Sequence, residues 1–156
     1  MVLTSTYSNE RIGVRYLSNG LKVFHIPTFD LFRQCSFPDF FTMYFPIIRN
    51  IIIREQIQIM HTHQASSFLQ AGAQHVAQTM GIKTIFTDHS LFGFGDAASV
   101  NANKALKWGL TAIDAAICVS HANKDNLSLR AAVRPDKIFV IPNAVDSSQF
   151  KPNPDL

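Results

Sequence analysis

The residues of this sequence that could do chemistry stand in four short polar clusters, each at the end of an apolar run. In chain order the clusters contain His61 with His63, Asp88 with His89 and Ser90, Ser120 with His121, and Pro142 with Asn143. A short apolar run bounded by polar residues indicates a buried strand. Because the carboxyl ends of the strands in an open parallel sheet line one ligand-binding crevice, we expect the four clusters to lie at one site.

Metal binding and nucleophilic hydrolysis are two chemistries that these residue types allow. The histidines and Asp88 carry groups that bind zinc, yet the two clusters that hold them stand far apart in sequence, whereas zinc ligands usually come at closer spacing. Ser90 and Ser120 each neighbour a histidine, but neither lies in the G-x-S-x-G turn that exposes a nucleophilic serine. The spacing therefore disfavours both chemistries, and we expect no metal.

A third chemistry is recognition of a sugar nucleotide or a phosphate ester. In it, His89 donates a hydrogen bond or polarises a hydroxyl group, while Ser120 and the helix N-terminus that follows it face an anion. Gly93 and Gly95 lack side chains and leave room for a ligand to approach the backbone. We therefore interpret the polar clusters as a ligand-binding crevice.

The elements that would position these clusters alternate between strands and helices. Strands are expected at residues 2–7, 21–26, 56–61, from residue 84, at 115–119 and at 137–141. Helices are expected at residues 40–53 with a kink or restart at Pro46, and at 66–80, 96–110 and 121–130. From the third strand onward this alternation predicts an α/β fold, with a parallel sheet and flanking helices.

Composition and charge exclude several other classes of protein. The chain has 156 residues, of which 47% are hydrophobic and 16% charged, so it is long and apolar enough to form one domain with a core. Its net charge of +3 comes from scattered basic residues, which argues against a nucleic-acid surface. Cys35 and Cys118 are far apart in sequence, and the pattern fits free thiols in a reducing compartment.

The most apolar segment begins at Phe40 and ends at Arg54. With Pro46, Arg49 and Asn50 inside it, the segment is too short and too polar to span a bilayer. We interpret it as a helix whose apolar face packs on the core of the α/β domain. Contact of its aromatic and basic residues with lipid headgroups is the alternative.

Several motifs give the chain a resemblance to a known family. They are T-D-H-S-L-F-G-F at 87–94, N-K at 103–104, I-C-V-S-H at 117–121 and V-I-P-N-A-V-D-x-x-x-F-x-P at 140–152, with G-L-K-V at 20–23, H-T-H at 61–63 and T-M-G at 79–81. Together they resemble the catalytic subunits of phosphatidylinositol N-acetylglucosaminyltransferase, the PIG-A type of retaining glycosyltransferase. The motif at 140–152 alone indicates only a glycosyltransferase with two Rossmann-like domains, the GT-B fold. The motif at 87–94 points to the subfamily.

The resemblance implies transfer of N-acetylglucosamine from UDP-GlcNAc to phosphatidylinositol, the first step of GPI-anchor biosynthesis. It also implies a multisubunit complex at the cytoplasmic face of the endoplasmic reticulum membrane, and no cofactor. By the same resemblance His89 is the catalytic residue beside the donor sugar, Asn143 lies at the junction of two domains, and His61 and His63 face the acceptor. The further residues expected to bind substrate are Asp88, Ser90, Gly93 and Ser120.

Against that family, residues 1–145 are expected to form the acceptor-side, N-terminal half of a GT-B fold, opening after the family's first strand, loop and helix. Residues 146–156 would begin the interdomain linker, and a donor-binding second domain would have to follow Leu156. At position 72 the resemblance leads us to expect an acidic residue, and the chain has Gly72.

A doubly wound sheet places its first strand at the centre. Without that strand, the expected strands at 2–7 and 21–26 would be separated from the strand at 56–61 and would leave exposed edges. We therefore expect a fragment that is poorly stable and inactive by itself. The alternative is a noncatalytic product that docks on the transferase complex or, through the segment from Phe40 to Arg54, on membrane lipid.

Overall fold

The computed structural model describes residues 1–6, 8–27, 30–32, 35–36 and 44–150. Its strands are β1 (Val2–Ser5), β2 (Gly13–Tyr16), β3 (Lys22–Ile26), β4 (Asp30–Phe32), β5 (Cys35–Ser36), β6 (Ile59–His63), β7 (Lys83–Asp88), β8 (Ala115–Cys118) and β9 (Ile138–Val140). Its α-helices are α1 (Phe45–Arg54), α2 (Phe68–Thr79), α3 (Ala97–Gly109) and α4 (His121–Ala131). Parts of three expected elements lie outside the described residues, namely Tyr7, residues 40–43 and residues 151–156.

The larger sheet has four strands in the order β6-β7-β8-β9, and every pair in it is parallel. Helices α2, α3 and α4 connect these strands one after another. The expected α/β fold with a parallel sheet and flanking helices is therefore confirmed. All four strands direct their carboxyl ends to one edge, and the polar clusters follow at that edge.

A separate sheet of three strands has the order β1-β3-β2, with β1 parallel and β2 antiparallel to β3. Among the described residues no strand joins it to the four-stranded sheet, and this separation agrees with the expectation from the doubly wound order. The sequence did not predict β2, because all four of its residues are exposed and no apolar alternation marks it. A short hairpin of β4 and β5 lies in a stretch expected to be irregular.

Side-chain caps begin three of the helices, as their sequences predict. Ser67, Asp96 and Ser120 each accept a hydrogen bond from the backbone N–H three residues later, at the starts of α2, α3 and α4. Such a cap satisfies a backbone donor that the helix leaves unpaired. Gly81 ends the α2 turn with φ of +72°, a backbone conformation that glycine adopts without strain.

Helix α1 begins at Phe45 and carries Pro46 in its first turn, where a missing backbone N–H costs nothing. Ile48 and Ile52 are buried against the core, so the core-facing interpretation of this helix is confirmed. Ile53 is exposed on the other face. Within the part of the chain that the structure describes, no helix is long and apolar enough to cross a membrane.

Strand β6 starts later than the sequence predicts, at Ile59 rather than Gln56, and it extends through His63. The end of α1 accounts for the shift. Gln56 has φ of +51° and Ile57 N–H donates to the Ile52 carbonyl oxygen, so these residues complete the helix rather than extend the sheet. The expected end of this strand at residue 61 is therefore wrong, because His63 is the last residue of the strand.

Two clusters of buried side chains form the core. The first lies between α3, α4 and the four-stranded sheet and includes Phe86, Leu110 and Leu127. The second joins α1 and α2 to β3 and includes Ile26, Ile48 and Val76. The helices thus cover the sheet face that carries Phe86. Alternation places Ile59, His61 and His63 on the opposite face, where all three are exposed.

Candidate active site

Three histidines meet at the carboxyl ends of β6 and β7. His61 and His63 are two residues apart on β6 and therefore project from the same face of the sheet. His89 directly follows β7, which pairs with β6 in parallel so that His63 lies beside Thr87. Parallel pairing thus brings the two polar clusters together, as the sequence predicts.

The three imidazole rings form a stack. The ring centroids of His61 and His63 are 4.4 Å apart, with the ring planes 28° apart. Those of His63 and His89 are 5.7 Å apart with planes 13° apart, and His63 Nδ1 lies 3.4 Å from His89 Nε2. At the other end of the stack, His61 Nε2 lies 2.7 Å from the Thr87 hydroxyl oxygen. We call His61, His63 and His89 the histidine stack.

Two members of the histidine stack, His61 and His63, favour the neutral imidazole. Partial burial lowers the pKa of His61, and the neighbouring His63 lowers it further. The pKa of His63 is likewise lowered, first by burial and then by His89. A neutral imidazole carries one donor and one acceptor nitrogen. The stack therefore offers the groups that a proton acceptor or a hydroxyl-polarising residue needs near neutral pH.

Asp88 is fully buried, and its carboxylate accepts hydrogen bonds from several groups around His89. One carboxylate oxygen accepts hydrogen bonds from the backbone and hydroxyl of Ser90, at 3.2 and 2.8 Å. The other accepts from Asn123 Nδ2 at 3.3 Å and from Arg130 Nη2 at 2.5 Å. Asn123 and Arg130 also donate to the Ser90 carbonyl oxygen. This network fixes the loop on both sides of His89, which makes Asp88 a positioning residue.

The serine hydroxyls expected at the site are engaged in local structure. Ser90 Oγ donates to the Asp88 carboxylate, and Ser120 Oγ accepts from Asn123 N–H as the cap of α4. Nucleophilic activation requires a base that accepts the serine proton, which histidine usually provides. Among the described residues neither hydroxyl is hydrogen-bonded to a histidine, so the structure adds no support for serine hydrolysis.

The loop after Ser90 is held against α4. Asn126 accepts a hydrogen bond from Phe92 N–H and donates one to the Phe92 carbonyl oxygen, at 3.4 and 3.1 Å. The Phe92 ring lies 5.1 Å from the Arg130 guanidinium carbon. Gly93 follows, and its carbonyl oxygen accepts from Asn103 Nδ2 at 3.0 Å. A Cβ at Gly93 would lie 3.8 Å from Asp96 Oδ2 and Ser99 Oγ, which is ordinary contact, so this position does not exclude a side chain.

Asn143 lies at the same edge of the sheet but apart from the stack. It is exposed and follows β9, which is separated from β7 by β8. At the usual spacing of neighbouring strands, the two positions differ by about 10 Å across the sheet. A ligand that touches both Asn143 and His89 would therefore lie across the end of β8, where Ser120 begins α4.

The described residues contain no group of three or more histidine, cysteine or acidic side chains placed to hold a metal ion. In the histidine stack the ring planes of neighbours are close to parallel. Imidazole nitrogens bind metal in the plane of the ring, so stacked rings do not direct their lone pairs to one point.

Arg130 and Asn123 are the functional residues that sequence reasoning missed. Arg130 stands one residue before Ala131 and three after Leu127, on the buried side of α4, and its side chain is completely buried. A buried arginine needs an anionic partner, and this placement was a signal that could have pointed to Asp88. Asn123 gave no such signal, because asparagine is common in the first turn of a helix.

A parallel α/β sheet with helices in its connections and polar residues at its carboxyl edge defines a Rossmann-like domain. The model of the PIGA family, described as GPI anchor biosynthesis, matches residues 6–96, which is more than half of the chain and includes the histidine stack. The chain therefore belongs to the PIGA family, and the resemblance found in its motifs is confirmed.

Relatives from fungi, plants and animals are similar to nearly the whole chain. Identity is 53% over 153 residues to the phosphatidylinositol N-acetylglucosaminyltransferase GPI3 subunit of Saccharomyces cerevisiae, covering 97% of this chain and 33% of that protein. It is 49% to the corresponding transferase subunit of Arabidopsis thaliana, covering 97% and 34%, and 43% to that of Homo sapiens, covering 99% and 31%. The chain thus spans about a third of the length of these curated relatives.

Proposed function

We propose that this chain forms the acceptor-side half of an enzyme that transfers N-acetylglucosamine from UDP-GlcNAc to phosphatidylinositol, with retention of configuration. This reaction begins GPI-anchor biosynthesis. The observation that carries the proposal is the histidine stack at the carboxyl edge of the sheet, in a chain of the PIGA family. The names of the relatives give the transferred group and the acceptor.

In the proposed reaction the two ends of the stack have different partners. His89 contacts the donor sugar, while His61 and His63 face the inositol headgroup. Because the pKa values of His61 and His63 are lowered, their rings are neutral near pH 7 and accept a hydrogen bond from an acceptor hydroxyl. Asp88 and Arg130 act indirectly, by holding the loop that carries His89. Asn143 contacts the ligand at the end of β9, on the side of Ser120 that is opposite to His89.

The proposed location of the enzyme in the cell follows from the lipid that accepts the sugar. Phosphatidylinositol is a membrane lipid, so the enzyme works at a membrane surface, which we propose to be the cytoplasmic face of the endoplasmic reticulum. The relatives are named as subunits, and we propose that this chain also works within a multisubunit transferase.

A chimera tests the catalytic role of His89. The matching 153-residue segment of the Saccharomyces cerevisiae subunit is replaced by this chain, and the chimera is expressed in yeast cells that lack their own subunit. Transfer of radiolabelled N-acetylglucosamine from UDP-GlcNAc to phosphatidylinositol is then measured in membranes. We expect the chimera to be active, and His89→Ala to lower the rate by about 100-fold or more.

Lys107→Ala is the control, because Lys107 is exposed near the end of α3, which leads to the start of β8 and lies away from the carboxyl edge of the sheet. We expect it to leave the rate unchanged, with all chimeras present at equal amounts. An active His89→Ala chimera would remove His89 from the reaction. An inactive but stably assembled parent chimera would contradict the proposed function of the chain.

A noncatalytic role in membrane docking is the second candidate function. Its support is the outer face of α1, where exposed Ile53 lies beside exposed Arg49 and Arg54. Such a face is suited to weak contact with anionic lipid. Flotation of the chain with phosphatidylinositol vesicles, lost in Arg49→Glu/Arg54→Glu and accompanied by no effect on transfer, would favour this role.

A further inference from the structure

A groove of about 440 Å³ lies between α1 and the hairpin formed by β2 and β3. Val14 on β2 pairs with Phe24 on β3, so their side chains lie on the same face of the three-stranded sheet. Ile26 shares that face by alternation and packs with α1 residues in the second core cluster. We call this cavity the α1 groove. The apolar side chains that line it are Ile12, Val14, Phe24, Ile26, Ile47 and Ile51.

The α1 groove is open to solvent on its β2 side. Ile12 and Val14 have 45% and 47% of their surface exposed, although both border an apolar cavity. Among the described residues, α1 is the helix that lines the groove, and no other helix contributes to it. Helices of an α/β domain cover a sheet face side by side. The groove therefore lies where a further helix would stand next to α1.

Four residues of α1 form the helical wall of the groove, namely Ile47, Asn50, Ile51 and Arg54. Their spacing of three and four residues places them on one face of the helix. Ile47 and Ile51 are half-buried, whereas Asn50 and Arg54 are exposed. The wall thus combines an apolar inner part with a polar rim, as protein-binding surfaces do.

The charges that line the groove do not balance. Lys22 Nζ lies 2.5 Å from Glu55 Oε1 and 5.1 Å from the centre of the Phe24 ring. Arg54 lines the groove together with this pair and has no ion-pair partner among the described residues. The groove therefore carries one uncompensated positive charge, which favours an occupant with an acidic group at that position.

We propose that the α1 groove binds an amphipathic helix of a partner protein, with an apolar stripe in the groove and an acidic side chain at Arg54. An extended peptide is disfavoured because β3, the floor of the groove, is already paired with β1 and β2 and offers no free backbone groups. An acyl chain would lay methylene groups against Asn50 and offer it no hydrogen bond. A helix satisfies its own backbone and brings polar side chains to the rim.

The groove sets the length of the helix. Lys22 and Pro27, which both line it, are five residues apart, or about 16 Å in a strand. A helix of about 11 residues spans that distance at about 1.5 Å per residue. Apolar residues at i, i+4 and i+7 then face the groove. Binding does not involve the histidine stack, so only the identity of the partner, as another subunit, rests on the proposed function.

Selection from a displayed peptide library tests the proposal on the 156-residue chain. The peptides have about 14 residues, enough for the groove and one further turn, and each position varies among Ala, Leu, Ile, Phe, Glu, Lys and Gln. We expect enrichment of peptides that have an apolar stripe at helical spacing and a glutamate near one end. Fluorescence anisotropy measures their affinity, and circular dichroism should show that they become helical on binding.

Substitutions on either side of the groove rim locate the binding. Val14→Glu places a charge in the groove and Arg54→Glu reverses the charge there, so each should weaken binding of an enriched peptide by about tenfold or more. Ile53→Glu and Arg49→Glu are the controls, because both residues are exposed on α1 and neither lines the groove. Replacing the peptide's glutamate by lysine should restore binding to Arg54→Glu and weaken binding to the parent chain.

The chimera with the Saccharomyces cerevisiae subunit tests the groove in the assembled protein. The photoreactive amino acid p-benzoylphenylalanine replaces Val14 in one version and Ile53 in the control, and mass spectrometry identifies the cross-linked segment. We expect position 14, and not position 53, to be cross-linked to a segment with apolar residues at helical spacing and an acidic residue. Sugar transfer is measured on the same membranes, so the two proposals can fail separately.

Four results would overturn the proposal. Enriched peptides that bind equally to Val14→Glu would place their site elsewhere. Binding of cis-parinaric acid that is lost in Val14→Glu, with no peptide enriched, would assign the groove to an acyl chain. Self-association of the chain that is lost in Val14→Glu would assign it to a second copy. Absence of both enriched peptides and cross-links from position 14 would mean that the groove accepts no helix.

Discussion

Arg130 is the residue on which the geometry of the candidate site depends most directly. Its guanidinium reaches back from α4 to the carboxylate that ends β7, and both side chains have no exposed surface. Its Nε and Nη1 atoms have no hydrogen-bond partner among the described residues, so Asp88 and the Ser90 carbonyl oxygen provide its polar contacts there. Removing either charge would leave the other buried without compensation.

We therefore expect Arg130→Met to lower the free energy of unfolding by about 3–5 kcal/mol, the usual cost of breaking a buried ion pair from one side. The double variant Asp88→Leu/Arg130→Met should be more stable than Arg130→Met, because it removes both charges. Urea unfolding measures these differences. Lys83→Ala is the control, since Lys83 pairs with Asp114 at the surface. A loss in Arg130→Met no greater than in this control would contradict the assigned role of the pair.

The histidine stack predicts how stability depends on pH. The pKa values of His61 and His63 are lowered by folding from the ordinary value of 6.5. Below that value the unfolded chain binds more protons than the folded chain, so the free energy of unfolding falls as the pH falls. Above it both rings are neutral in both states, and this contribution vanishes.

His63→Asn should therefore flatten the pH dependence of the free energy of unfolding below 6.5. Urea unfolding at several values between about pH 5 and pH 8 measures the slope. Burial also lowers the pKa of His75, which adds to the slope of both proteins and cancels in the comparison. A variant with the same slope as the parent chain would show that the stack does not resist protonation.

At the scale of elements, the N-terminus of α4 is held by a local side-chain cap and also contributes a residue to the candidate site. Ser120 begins the helix, and Asn123, in its first turn, contacts Asp88. We expect Ser120→Ala to lower the free energy of unfolding by about 1 kcal/mol, because a backbone donor loses its cap. Ser120→Asp keeps an acceptor at this position and should retain most of the stability. Equal losses in the two variants, measured by urea unfolding, would rule out capping as the cause.

At the scale of the whole molecule, the two sheets share side-chain packing but no backbone pairing among the described residues. Local stability depends on how many partners hold an element. Strands β7 and β8 have paired neighbours on both sides and carry the fully buried Phe86 and Ala116. We expect native-state amide exchange to show a lower opening free energy for β1, which pairs with β3 alone among the described residues, than for β7 and β8. Equal values would show that the sheets open together.

Cys118 reports opening of the larger core. It is a buried free thiol on β8, and burial raises its pKa to about 12. The reactive thiolate is therefore scarce, and the thiol is shielded. We expect iodoacetamide to modify Cys118 only as fast as the core unfolds, with mass spectrometry separating its peptide from that of Cys35. Modification at the rate of a free thiol would contradict the packing of this core.

The amino-acid sequence by itself determined the features that depend on neighbouring residues. Apolar runs marked strands β6 to β9, and contiguous motifs indicated the family. Asp96, Ser120 and one of Ser66 and Ser67 marked the helix starts. The meeting of His61, His63 and His89 also followed, because parallel strands bring their carboxyl ends to one edge.

The tertiary structure alone decided the contacts that neither a local pattern nor the parallel order of the strands implies. The partner of Asp88 is 42 residues away along the chain, and β2 is marked only by its pairing with β3. The stacking of the rings likewise depends on how separate elements pack. Local propensities act over a few residues, whereas ion pairing, strand pairing and cavities depend on contacts between remote segments, so no short sequence pattern contains them.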